Sequence, residues 1–595
     1  MGINYYLEML SVLPPFQRLV GSLRQNSSLV YTQVIDEAVP FLIPTLMQEI
    51  QRPILLICPT PDQSRRVHEQ IKTWNNDKNL VLRFSETESL PYERLVTDSA
   101  TTQQRISTLS KLNNLGVGEL PLIVSSVAAL CQGTLSKEIL EKSTDIVSKG
   151  DKISLSDLAL QVSNKGYSIE PSTSTNGEAS RRGGGIMDIF PTGSESPFRI
   201  ELWGDEVDSI RVFDPNTQRS KGEVPAIRIA PAIETLPNMI SKEELDRSLS
   251  RIDLSNCSIE DSKIIRYELD SILKGLIFDD IGIYSGIINQ GLLTDYLPKN
   301  TIIIFYRPTD IATAAWDAES RLKELKTAKE TRGEIPFNLP PNYCDWNSME
   351  NKFKEFFPNN MHIVPWGAED LIATSMHIMP FSSTPTYQGD LEKLTDDVKN
   401  FTSSDGEIIV NTMYPDRIAD LIKTKNIPNK NSILVLEPGA NDTGDGFILN
   451  SSENNLMVLG DKEIFGLERK RRTIRKTSVK REAFFEEISP GDYVVHVEHG
   501  IARFLGTDKR KDDETNQEYL ILQYSQGDKL YVPFDHIDRV APYVAPMDRA
   551  PSLTRLGTQE WVRTKARVEK STKEMAAELL SIYAQRELAE GYQMG

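Results

Sequence analysis

The sequence predicts a multidomain chain of mixed α/β and α+β class that closes with a small all-β module and a long helix. Three observations predict it. At 595 residues the chain is too long for one core and should divide into several domains. Short apolar runs alternate with helical patterns in PILLICPTPDQSRRVHEQI and PLIVSSVAALCQ, the signature of a parallel sheet with helices on its faces. The pattern turns β-rich near residue 150 and again near 488, where Gly, Pro and Asp-Glu turns break it.

Taken in order, residues 1–130 form a first α/β part. It has a buried strand at Ile54–Cys58, then a helix with Thr60 as N-cap and Pro61 in the first turn. A second strand spans Leu122–Val124, with the next helix capped by Ser125 or Ser126. Residues 131–215 read as a small α+β insertion, RRGGGIMDIFPTGSESPFRIELWGDEVDSIRVFDP. From 216 to 340 the α/β pattern resumes in NTIIIFYRPTDIATAAW, a strand followed by a helix capped near Thr309. A third α/β domain, 345–465, carries MHIVPW, GEIIVNTMYPDRIADLIK and NSILVLEPG. The linker 466–485 holds eight basic residues between Arg469 and Arg481. Such a block is a solvated tether or a nucleic-acid contact, the latter through Arg469, Lys470, Arg471 and Arg472. Residues 486–547 form the β-module and 555–595 the long helix.

A net charge of -18 argues against wrapping of DNA by the whole chain. The four cysteines, Cys58, Cys131, Cys257 and Cys344, are far apart and form no C-x-x-C pair. That spacing suits neither a zinc knuckle nor a disulfide framework. The opening MGINYYLEMLSVLPP lacks a basic segment followed by an apolar run, and no stretch is long enough to span a bilayer. A cytoplasmic monomer without metal is expected.

Parallel α/β units bind nucleotides where glycines let backbone N–H groups close on phosphate and a lysine meets the terminal phosphates. The first strand-to-helix junction, SSLVYTQVIDEAVPF, has neither glycine nor lysine and sets Asp36 and Glu37 where phosphate would lie. No G-x-x-x-x-G-K-[ST] occurs in the chain. No nucleotide turnover and no catalytic residue are therefore expected.

His496 and His499, in GDYVVHVEHGIARFLG, invite a metal reading. Val494, His496 and Glu498 share one strand face, so His499 should point to the other. In EYLILQY, Tyr519, Ile521 and Gln523 alternate with Leu520, Leu522 and Tyr524, and both faces are largely apolar. A module of this size buries one face well. The second packs on a neighbouring domain or docks a separate protein by strand addition. In the terminal helix, Trp561, Val568, Met575 and Ile582 recur every seven residues, an apolar stripe needing a partner surface. The chain is expected to be the front part of a longer protein, or the helix to bind another subunit.

GDYVVHVEHGIARFLG followed by EYLILQYSQGDKLYVPF resembles the RNA-polymerase-interacting module of bacterial transcription-repair coupling factors, shared with CarD-type regulators. QRPILLICPT, LPYERL, RRGGGIMDIFP, IELWGDEVDSIRVFDP and GLLTDYLPKNTIIIF resemble the UvrB-homology part of the same family. The resemblance implies UvrB-like α/β domains at 1–130, with a degenerate P-loop, and at 216–340. It implies a UvrA-binding insertion at 131–215, an SH3/Tudor-like β-barrel at 486–547, and a helix leading to a motor absent from this chain. Family members dock on the β subunit of RNA polymerase stalled at a DNA lesion, recruit UvrA, and displace the polymerase by ATP-driven translocation. ATP and Mg, and most contact with double-stranded DNA, belong to that motor.

Carried over by position, Leu520, Ile521 and Leu522 match the polymerase-docking strand, and Arg181, Arg182 and Phe190 lie around the UvrA-binding motif. The family's arginine position falls on Gly183 here, with Arg181 or Arg182 as substitutes. Phe190 fits a core role as well as an interface. LPYERLVTDSATTQQRIS is too short for the hairpin by which UvrB grips DNA. The rival readings are a UvrB-like excision ATPase carrying a CarD-like module, and a standalone CarD-like regulator.

Overall fold

The computed structural model describes residues 3–25, 29–75, 77–87, 92, 94, 99–170, 172–215, 217–278, 280–365, 376–424, 432–436, 444–451, 454–466, 490–496, 499–510, 517–533, 540–542 and 553–555. The chain forms two compact units, Met1–Glu468 and Arg469–Gly595. The expected linker contacts Arg469, Lys470, Arg471 and Arg472, and the long helix after residue 555, lie outside the described residues.

A seven-stranded sheet organises the first unit. Its order is Met376–Ile378, Leu29–Gln33, Asn360–Val364, Ile302–Tyr306, Ile54–Cys58, Leu122–Ser126, Val81–Phe84, and every pairing is parallel. The strands Ile302–Tyr306, Ile54–Cys58 and Leu122–Ser126 are buried at all positions, as a parallel sheet covered on both faces demands. The caps form as the sequence indicates. Thr60 accepts from Gln63 N at 3.3 Å, and Ser126, rather than Ser125, accepts from Ala129 N at 3.1 Å.

Three expectations are corrected. MHIVPW, assigned to the third α/β domain, supplies the strand Asn360–Val364 of the first sheet, where Asn360 pairs with Leu29 and Ile303. An apolar run declares a strand but not the sheet that receives it. Thr309 is not a cap: the helix Pro308–Thr331 starts after Arg307, held at a left-handed φ of 61°. The stretch 216–340, read as α/β, gives the sheet only Ile302–Tyr306. Much of the rest is helical, Lys242–Leu249 and Ile259–Leu273, around a core of Tyr92, Leu245, Ile272 and Tyr284.

The helix Val39–Ile50 explains how two sheets share one core. Ten of its residues are buried, so both its sides need apolar partners. Phe41 meets Trp74, Phe447 and Phe381 with ring centroids 5.0, 5.3 and 6.3 Å apart. Phe381 and Phe447 belong to a five-stranded sheet ordered Phe381–Ser383, Phe447–Leu449, Leu456–Gly460, Glu407–Asn411, Ile433–Leu436. It is antiparallel at the first end and parallel at the second. The Tyr5 hydroxyl adds a 2.6 Å hydrogen bond to Glu407.

The insertion is a six-stranded sheet ordered Ser220–Glu223, Glu206–Phe213, Phe198–Trp203, Ile186–Ile189, Glu178–Arg182, Ser168–Ile169. One face closes on the helix Leu155–Asn164, with Leu155, Leu158 and Val162 packed on Ala179, Met187, Ile189 and Ile200. The chain enters along Asp145–Ser148 and leaves along Ala226–Ile229, and these strands pair antiparallel. The insertion therefore ends beyond 215, the boundary read from the sequence, because its closing strand is short and half exposed.

Candidate docking sites

The first strand-to-helix junction is not built for phosphate. After Leu29–Gln33 the chain makes a short 3₁₀ turn, Asp36–Ala38, ahead of the helix. Asp36 lies 3.7 Å from the Arg307 guanidinium. Burial and the neighbouring Asp36 carboxylate push the Tyr306 phenol far above its ordinary range. A phosphate placed here would meet acidic side chains instead of a glycine-lined cradle.

The insertion leaves its second sheet face uncovered by that helix, and the register fixes what stands there. Ser180 pairs with Asp188, Asp188 with Arg199, Arg199 with Arg211, and Arg211 with Glu223. Directly opposed residues share a face, so one charged row crosses five strands. Asp188 is fully buried within it. Arg199 donates to both its oxygens at 2.7 and 2.8 Å, and Arg182 Nε lies 2.8 Å away. Burying a carboxylate is tolerable only with such pairing. Arg211 bridges Glu201 and Glu223, each at 3.4 Å. Arg182 also donates to Gln218.

The three residues singled out around the glycine-rich motif separate. Arg182 stands on the charged face, part exposed. Arg181 is exposed but pairs with Met187, a core residue, and so belongs to the opposite face. Phe190 is buried, with its backbone N donating to Glu178 O and its O accepting from Gly177 N, both at 2.9 Å. Sequence reasoning missed Trp203, which is 85% exposed. Its signal was readable: in RIELWGD, Arg199, Glu201 and Trp203 alternate onto one face.

The β-module is a five-stranded antiparallel sheet ordered Lys529–Pro533, Gln517–Gln523, Gly500–Arg510, Tyr493–His496, Val540–Pro542. Its core holds Val494, Ala502, Phe504, Leu520, Leu522, Tyr524, Val532 and Val540. Leu520, Ile521 and Leu522 thus do not form an edge. Each is paired on both sides, Ile521 with Gly506 and Tyr531, and Leu520 and Leu522 are fully buried. Ile521 alone of the three is half-exposed, with Tyr519 and Gln523 on the same face and Tyr531 opposite. The strands with one partner among the described residues are Lys529–Pro533 and Val540–Pro542. Leu505, 37% exposed, sits at a bulge between Phe504 and Gly506. Thr554 closes the end of the sheet: it donates its N–H to Ile501 O at 2.9 Å and accepts from Ile501 N at 2.8 Å.

The two histidines correct another expectation. The strand stops at His496, and the His496 and His499 rings stack with centroids 4.7 Å apart. The two rings lie together, not on the opposite faces that strand alternation predicts. Among the described residues, no three His, Cys, Asp or Glu side chains group to hold a metal, and no helix is long and apolar enough to cross a membrane.

Comparison with known proteins agrees with this layout. A family model described as the UvrB interaction domain matches residues 146–234, the insertion with its paired entry and exit strands. A model described as the CarD-like/TRCF RID domain matches residues 488–544, the β-module. The transcription-repair-coupling factor of Bacillus subtilis (strain 168) is 28% identical over 574 residues, which are 92% of this chain and 48% of that protein. That of Staphylococcus aureus (strain USA300) is 29% identical over 562 residues, 87% of this chain and 46% of that protein. The chain spans about half the length of the curated relatives it matches.

Proposed function

We propose that this chain is the docking and recruitment part of a transcription-repair coupling factor. The β-module grips the β subunit of RNA polymerase and the insertion recruits UvrA. One observation carries the reading: one chain matches both the model of a CarD-like/TRCF RID domain and that of a UvrB interaction domain. Two separate surfaces in one chain suit an adaptor that holds two partners together. The whole protein would add ATP-driven translocation on double-stranded DNA, with ATP and Mg bound by its motor. In this reading the chain itself acts as a cytoplasmic monomer, takes no cofactor and turns over no nucleotide.

The module's geometry supports the polymerase grip. Strand addition needs a sheet margin, and among the described residues Lys529–Pro533 is one, beside Ile521 and Tyr531 on one face. Backbone pairing along that strand gives affinity, and the Ile521 side chain, next to it, gives selectivity. The experiment is binding of the full chain to the N-terminal lobe of the polymerase β subunit. Micromolar or tighter binding is expected, and its loss in Ile521→Arg. A folded wild-type chain that ignores the lobe would remove the polymerase half of the proposal.

A further inference from the structure

The fold brings together two cysteines that lie far apart in the sequence. After the strand Leu122–Ser126, the short helix Val127–Cys131 ends against the segment that leads into the helix Trp346–Phe356. Gln132 and Tyr343 face each other there as an isolated antiparallel bridge. Two backbone hydrogen bonds flank it, Cys344 N to Cys131 O at 2.8 Å and Gly133 N to Asn342 O at 3.2 Å. Antiparallel register then sets Cys131 directly opposite Cys344, with Cα atoms about 5.5 Å apart and both Cβ atoms on one side of the pair. A disulfide needs Cα atoms about 4.4–6.8 Å apart, so the backbone already meets that requirement. The apposition is close. A Cβ added at Gly133 would run into Asn342 Oδ1 and stand 3.1 Å from Asn289 O, and Thr134 pairs with Gly291 just beyond.

The two thiols differ in access. Cys131 has no solvent exposure and lies in the core on one face of the seven-stranded sheet. Cys344, partly exposed, packs against that same core, and its Sγ donates to Asp345 O at 3.6 Å. Cys58 is buried in the core on the other sheet face, and Cys257 Sγ is held by Asn256 Oδ1 at 3.7 Å. Burial pushes the Cys131 thiol up to about 12, and burial with the Asp345 carboxylate raises Cys344. Thiolates are therefore scarce at neutral pH and oxidation is slow. The same property makes each sulfur a poor leaving group, so a bond once formed is slow to be reduced.

We propose that Cys131 and Cys344 are a modification site that closes to an intramolecular disulfide when the chain meets a hydroperoxide. With hydrogen peroxide, the Cys344 sulfur breaks the O–O bond, takes one oxygen as a sulfenic acid and releases water. The Cys131 sulfur then displaces that oxygen, the S–S bond forms, and a second water leaves with the Cys131 proton. Two thiols lose two electrons between them, and one peroxide is reduced to two waters. The bond closes a loop around the whole insertion, because its paired entry and exit strands, Asp145–Ser148 and Ala226–Ile229, both lie between the two cysteines. By restricting the unfolded chain, it stabilises the first unit.

The test treats the reduced full chain with hydrogen peroxide, blocks the remaining thiols with N-ethylmaleimide in denaturant, and maps non-reducing digests by mass spectrometry. The expected product is a peptide pair joined through Cys131 and Cys344, lighter by two hydrogens than its parts and separated by dithiothreitol. Cys344→Ser and Cys344→Ala, at a partly exposed position, should abolish it. The urea midpoint of the oxidised wild-type chain should rise above that of the reduced chain, and peroxide should produce no such rise in either variant. Oxidation of Cys344 to a sulfinic acid, or its linkage to a second copy, with Cys131 still blocked by maleimide, would overturn the proposal. Recovery of both thiols as maleimide adducts after prolonged treatment would overturn it equally. A Cys131–Cys344 bond without the midpoint shift would overturn the stabilising role assigned to it.

Discussion

Arg105 donates its Nε to both carboxylate oxygens of Glu234, at 2.9 and 3.0 Å, from a position with no solvent exposure. Thr134 adds a 2.5 Å bond to the same carboxylate. The remaining guanidinium nitrogens reach Ser85 O at 2.7 Å and Gly133 O at 3.3 Å, and Phe84 lies 4.1 Å beneath the charge. Glu234 follows directly on the insertion, whereas Arg105 lies on the helix Ser99–Asn113, beside the parallel sheet. This buried ion pair helps to tie the insertion to the helix Ser99–Asn113.

Breaking that pair from one side should cost far more than replacing it. Glu234→Ala leaves a buried guanidinium without its counter-charge and should destabilise the first unit by about 3 kcal/mol or more. The double change Arg105→Met with Glu234→Leu should cost markedly less, because no charge remains to be buried. Calorimetric melting of the three proteins checks the order. Equal losses in the single and double variants would show that packing, not charge, fixes the junction.

Neighbouring residues on the strand Gln517–Gln523 should behave in opposite ways. Leu522→Arg places a charge in a filled core and should unfold the β-module, lowering its melting transition. Ile521→Arg, on the half-exposed face, should leave melting nearly unchanged, within about 0.5 kcal/mol, and act only on binding. Circular dichroism melts of the two variants decide the point. A native melt for Leu522→Arg would contradict the assignment of faces.

Acid should weaken the first unit through His362. Its ring packs against Phe305 and Tyr31, with centroids 4.9 and 5.3 Å away, and burial lowers its pKa from 6.5 to about 4. Between those values the unfolded chain takes up a proton that the folded chain refuses. Stability is therefore complete above pH 6.5 and falls as pH drops toward 4, by on the order of 3 kcal/mol from this group. His68 is shifted in the same direction by burial. Urea midpoints measured across this range should slope less in His362→Phe than in wild type, and parallel slopes would refute the assignment.

The sequence made local structure legible and left assembly hidden. Ile54–Cys58, Thr60 and Pro61 declare strand, cap and first turn within a few residues, and the structure follows them. Asn360–Val364 reads as a strand just as clearly, yet its place between Leu29–Gln33 and Ile302–Tyr306 depends on partners more than fifty residues away, which no local period encodes. The same limit hid which strand lies at the sheet margin among the described residues. Two apolar faces on EYLILQY suggested an exposed strand, when the strand is internal and the margin falls on KLYVP. Trp203 was legible by alternation alone, on the same sheet face as Arg182 of the glycine-rich motif.

The central claim is that one chain holds two partners at once. The most direct measurement immobilises RNA polymerase and asks whether UvrA is retained only when this chain is added. Retention that disappears with Ile521→Arg is the predicted result. If polymerase and UvrA each bind the wild-type chain but compete for it, so that no ternary complex forms, the account of this chain as a coupling adaptor is contradicted.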